Sequence, residues 1–97
     1  MLHISEITQL DARHVLFFRD KDHGFQPGSF TQSLLELAWK ADAENLTNLS
    51  KGFPGLIAAF YISKESVGVE ILQQIATNTL GDNILAAATA IVNGDTK

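Results

Sequence analysis

The chain has no cysteine, two prolines, a single tryptophan, a single tyrosine and no run of like charge. Each shortage removes a class of explanation. Without cysteine there are no disulfides, thiolate metal sites or cysteine nucleophiles, and an intracellular, cytoplasmic setting fits that composition. The opening MLHISEITQLDARHV lacks the basic start and unbroken apolar run of a secretory signal, so the mature protein is expected to begin at Met1. No window reaches the ~18 uninterrupted apolar residues of a spanning helix, so no membrane is expected among the partners. Ile84 to Val92, apolar apart from Thr89, reads as a buried helix instead. Asn45-Leu46-Thr47 and Asn48-Leu49-Ser50 match the glycosylation triplet and, without a secretory route, are read as chance matches.

Positive charge is scarce too. Arg13, Arg19, Lys21, Lys40, Lys51, Lys64 and Lys97 stand against eleven acids, for a net charge of -4. A nucleic-acid binder concentrates Lys and Arg on one surface, because each phosphate contact gains affinity by releasing counterions. These seven cations are dispersed along the chain, which disfavours nucleic acid as a partner.

What is present is apolar side chain: 45% of 97 residues, with only 19% charged. That balance is too apolar for a disordered chain, and at this length one hydrophobic core forms by removing roughly 65% of the unfolded surface from water. Ile4, Ile7, Leu10, His14 and Phe17 recur every three or four residues, as on one face of a helix. Val15, Leu16, Phe17 and Phe18 form a solid apolar run that fits either the end of that helix or a short buried strand. Lys21 to Pro27 reads as a loop, with Asp20, Asp22 and Gly24 supplying turn chemistry.

Ser29 and Gln32 have capping-box spacing and predict a helix start. Phe30, Leu34, Leu37, Ala38 and Ala41 then trace an apolar stripe, widened by a second row of Leu35 and Trp39. Asp42 is suited to cap a short helix carrying Leu46 and Leu49, which Gly52 and Pro54 terminate. The next helix begins at Pro54 and is apolar on several sides through Leu56, Ile57, Ala59, Phe60 and Tyr61, so it is expected at the centre. Gly68 interrupts before Val69, Leu72, Gln73 and Ala76 resume helical spacing, with Ile71 and Ile75 alongside. Gly81 and Asp82 punctuate before an alanine-rich helix at about Asn83 to Val92, and Asn93 to Lys97 reads as a frayed tail. The expected fold is all-α, a compact single-domain bundle of five or six short helices, with a short strand at Val15 to Phe18 as the alternative there.

Pro27-Gly28-Ser29-Phe30, the Lys40-Ala41-Asp42 step, Asn45, and Gly52-Phe53-Pro54 followed by Leu56 and Ala59 together resemble a theme in small uncharacterised proteins of bacteriophages and actinobacteria. About a third of the chain carries it. The resemblance implies an origin and no activity. Its physical content is a capped helix, a tight acidic turn, a short helix and a proline-started helix, with Phe30 and Phe53 placed to lock the junctions.

The polar residues assemble no recognisable chemistry. Asp20 and Asp22 alternate before Gly24 as in a calcium loop, but counting from Asp20 the glycine is fifth rather than sixth and the twelfth residue is Thr31 rather than Glu. A solvated turn is the expected reading of Asp20 to His23. No metal or cofactor is expected. His14 lies on an apolar face, and Ser29, Ser33, Ser50, Ser63 and Ser66 lack nucleophile-elbow surroundings. Gly24, Gly28 and Ser29 lack the lysine and spacing of a phosphate loop. Glu36 to Ala41 resembles the first helix of a helix-turn-helix, but the expected second helix offers Lys51 as its sole cation among Glu44, Asn45, Thr47, Asn48 and Ser50.

The aromatics suited to anchor a partner are Phe25, Trp39, Phe53 and Tyr61, although at helical spacing such residues more often belong to a core. The expectation is a non-catalytic, phage-type or mobile-element-type helical protein acting through contacts with a protein partner or with itself. An inhibitor of a host defence protein is one form of such a role. A helix-turn-helix-like DNA-binding protein and a small helical enzyme using His14 or the Asp20 to His23 cluster are the alternatives.

Overall fold

The computed structural model describes residues 2–93, and among them the chain forms a single 3-10 turn, six α-helices and no strand. The turn covers Ile4–Glu6; α1 is Gln9–Arg19, α2 Ser29–Lys40, α3 Ala43–Gly52, α4 Pro54–Ser63, α5 Gly68–Ala76 and α6 Asp82–Asn93. The all-α expectation holds. The tail expected after Asn93 lies outside the described residues. Among those described, no helix is long and apolar enough to cross a membrane.

α4 is the organising element. Every residue from Gly55 to Ser63 is buried except Tyr61, which is half-buried. A helix apolar all round has no face to give to water, so neighbours must surround it. Here α1, α2, α3, α5, α6 and the 3-10 turn all pack on it. Pro54 starts α4 without sacrificing a hydrogen bond, because the first N–H groups of a helix have no partner within it. At Gly55 the helix presses so closely on the 3-10 turn that a Cβ would collide with the Glu6 carbonyl oxygen, and glycine alone permits that approach.

The first helix is shorter and rotated relative to its expected form. Thr8 accepts a hydrogen bond at its Oγ1 from the Asp11 N–H (2.9 Å), while the Asp11 carboxylate accepts from the Thr8 N–H (3.1 Å). This reciprocal cap starts α1 after Thr8 and separates it from the 3-10 turn, so Ile4, Ile7, Leu10, His14 and Phe17 do not share one helical face. The buried side of α1 is Ala12, Val15 and Leu16, and Leu10 faces solvent. Val15 to Phe18 is helical, which resolves the strand alternative.

Two further starts were legible to different degrees. Asp42 caps α3 as expected, its Oδ1 accepting from the Asn45 N–H at 2.8 Å. The capping box expected of Ser29 and Gln32 does not form: Gly28 occupies the cap position, Ser29 is already helical, and the Gln32 amide donates to Glu36 instead. From Pro54 onward the boundaries follow the punctuation closely, with Ile71, Leu72 and Ala76 buried on α5 and Ala88 on α6.

Candidate protein-contact face

α2 carries more apolar surface than one side of a helix can bury. Leu34, Leu35 and Ala38 enter the core, whereas Phe30 is 66% and Leu37 52% exposed. Both were expected inside, on the stripe with Leu34, and Trp39, expected in the second buried row, is exposed as well. The warning was present in the sequence. Seven apolar positions from Phe30 to Ala41 spread over roughly 200° of the helix, about twice the width that one packing face needs.

Phe30, Leu34, Leu37 and Ala41 follow one another at intervals of four, three and four residues, so they form one stripe along the helix. At the end nearer Phe30 the stripe meets Phe53, whose ring lies 5.7 Å from that of Phe30 at a 51° tilt. Phe53 both closes α3 and precedes α4, which fixes its ring beside the start of the central helix. Leu10 of α1, 53% exposed, and the half-buried His14 complete this end, around a hollow of about 340 Å³ floored by Leu34 and Leu56. At the other end Leu37, Ala41 and Leu49 wall an open hollow of about 410 Å³, with Lys40, Asn45 and Asn48 at its rim. Phe30, Leu37 and Leu10 are residues that the pattern reading did not single out as contact residues.

The four aromatics that it did single out lie in different places. Phe53, 37% exposed, belongs to the face just described. Trp39 lies on the opposite shoulder of α2, edge-on to the buried Phe60 at 6.4 Å, with the Arg19 guanidinium 5.7 Å from its ring. Lys64 approaches Phe60 at the same distance, so two cations and two rings close over the C-terminal half of α4. Phe25 is exposed in the loop before α2, under the Arg13 guanidinium at 4.8 Å. Arg13 also donates to the Ala76 carbonyl at 3.0 Å, while the Phe25 N–H donates to the Arg13 carbonyl, so this loop is tied to α1 and to the end of α5. Gly24 makes the tie possible through a positive φ of 74°. Tyr61 is half-buried against the core.

The residues weighed for catalysis are dispersed. His14 sits among Leu10, Phe30, Leu34 and Leu56, whereas His23 lies in the loop beside Asp20, its Nδ1 3.0 Å from the carboxylate. The Asp22 N–H donates to the same Asp20 carboxylate, and that bond, followed by the contact with His23, holds the Asp20 carboxyl below its ordinary value of 3.8. This is a solvated turn that satisfies its own polar groups. Ser63 is buried and donates to the Phe60 carbonyl at 2.6 Å. Among the described residues, no three His, Cys, Asp or Glu side chains gather as metal ligands would. α3 presents Glu44, Asn45, Thr47, Asn48 and Lys51 to solvent, an exposed surface on which acid and base balance. Compared with protein families, with curated proteins and with solved structures, the chain matches none of them.

Proposed function

We propose that the protein acts without catalysis, through protein contacts made by the α2–α3 face. One observation carries the reading: Leu10, Phe30, Leu37 and Phe53 expose large apolar side chains along a face that also holds two hollows, although the same domain buries α4 almost completely. Scattered exposed apolar residues need no explanation, but contiguous ones beside a concave surface mark contact sites. A phage-type or mobile-element-type origin is part of the proposal, supported by the resemblance carried by Pro27 to Phe30, Lys40 to Asp42, Asn45, Gly52 to Pro54, Leu56 and Ala59, and a role as inhibitor of a host defence protein is one form that contact would take.

The test compares the immobilised wild-type chain with the L10D/F30D variant, presenting to each both a bacterial lysate and the purified protein itself. Contacts retained by wild type and lost by the variant, with the helical circular-dichroism signal unchanged, are the expected result. Equal retention by the two chains, or retention of nothing by wild type, would overturn the reading.

A further inference from the structure

The α2 stripe contains both halves of a fit. Phe30, the most exposed of its large apolar residues, projects at one end, and the 410 Å³ hollow walled by Leu37, Ala41 and Leu49 opens at the other. We propose that a second copy of this chain covers the face, as a symmetric dimer in which the two α2 helices run antiparallel and Phe30 of each seats in the hollow of the other. This rests on the protein-contact reading above and gives that face its occupant.

The spacing supports the pairing. Helices with apolar residues at alternating intervals of three and four meet along that seam, and an antiparallel two-fold pairs the first stripe position with the last. Phe30 then lies against Ala41 of the copy, the largest side chain opposite the smallest, and the two exposed Leu37 side chains meet beside the axis, above Leu34, which its own core already holds. Such alternation is what lets facing layers interdigitate without voids. Charge does not oppose it: the stripe holds no acid, Glu36 points away and is engaged by Gln32, and the two-fold puts Lys40 beside Ser33 of the copy rather than beside another lysine.

The area is of the right order as well. Leu10, Phe30, Leu37 and Phe53 together expose roughly 400 Å² of apolar side chain, the size of the largest patch on a typical monomer. That is close to the apolar share, roughly 56–58%, of the ~800 Å² that each partner gives to a standard interface.

Because the chain contains no cysteine, an F30C/A41C variant reads the register directly. Within one chain the two positions are about 16 Å apart along the helix, far beyond the ~7 Å between Cα atoms that a disulfide spans, so any bridge between them joins two molecules. Mild oxidation at millimolar concentration, which offsets the weaker pairing of a chain without the Phe30 ring, is expected to convert most of this variant to a covalent dimer, while Phe30→Cys alone stays mostly monomeric. Equal cross-linking of the two, or none, would overturn the register.

Sedimentation equilibrium supplies the second readout. Wild type is expected to dimerise, Phe30→Ala and Ala41→Phe each to raise the dimer Kd about 30-fold or more, and the F30A/A41F double variant to recover most of that loss by exchanging knob and hollow. Wild type that remains monomeric at millimolar concentration would refute the dimer and leave the contact reading standing, since that reading fails only if wild type retains nothing from the lysate or the L10D/F30D variant binds as wild type does.

Discussion

α4 and α2 have similar lengths and opposite relations to water. α4 is apolar on all sides and every side is taken, by six other elements. α2 is apolar over a wide arc of which its own chain takes the middle, leaving Phe30 and Leu37 on one shoulder and Trp39 on the other. The difference separates two uses of apolar residues that composition alone merges. In α4 they hold the domain together; in α2 the surplus beyond Leu34, Leu35 and Ala38 stays at the surface, where Phe30, Leu37 and Trp39 are more than half exposed.

The comparison breaks most sharply at Phe60. Truncating this fully buried ring to alanine removes its transfer free energy and leaves a cavity beneath Trp39, at an expected cost of about 3–5 kcal/mol. Domains of this kind have about 5–15 kcal/mol in total. Urea denaturation of Phe60→Ala should therefore show a much lower midpoint, or no folded baseline; a midpoint near that of wild type would mean that α4 is not the centre.

Asp42→Ala removes the cap between the two regions and should cost about 1 kcal/mol, seen as a lower urea midpoint with an unchanged slope. If Asp42→Asn loses as much as alanine, the loss is not one of capping, because asparagine caps about as well.

Phe30→Ser sharpens the contrast from the other side. It gives up the tilted pair with Phe53 and little buried area, so the expected cost is about 1 kcal/mol or less. Its effect belongs in a binding or self-association measurement. A loss as large as that of Phe60→Ala would place Phe30 in the core and remove the basis for a contact face.

The smallest effect concerns the loop. The Asp20 carboxyl is held below its ordinary value by the Asp22 N–H and by His23, so the folded state binds its proton less readily than the unfolded state. Stability from this source is present above the unfolded-state value and disappears as pH falls through the lower folded-state value. Thermal unfolding of wild type and Asp20→Asn should accordingly differ slightly at neutral pH and converge once the pH has fallen below the lowered folded-state value. Divergence on acidification would contradict the assignment.

Sequence pattern located most of the helices because their boundaries are chemical. Asp42, Gly52, Pro54, Gly68 and Gly81 each change the local backbone options whatever surrounds them. The misses have a common cause: position within a helix, unlike its end, is settled by neighbours. Thr8 and Asp11 had the spacing of a cap, but Ile4, Ile7 and Leu10 continued the apolar rhythm across it, and the rhythm was the wrong guide. Ser29 had the spacing of a cap too, and there Gly28 holds the cap position.

The candidate face was half legible. Phe30 and Phe53 stand out in the sequence as residues able to meet across a junction, and their rings do meet. That they meet at the surface was invisible, because Phe30, Leu37 and Trp39 have the same spacing as the residues that enter the core.

By itself, then, the sequence determined the class of fold, the order of its helices and the central place of the segment after Pro54. These follow from backbone chemistry and apolar content, which act locally and sum along the chain. Which apolar residues would be spent inside and which left on α2 was decided only by the tertiary structure. A helix with 200° of apolar surface has several ways to be half-buried, and the choice among them depends on the shapes of α1, α3 and α4 when all three pack at once.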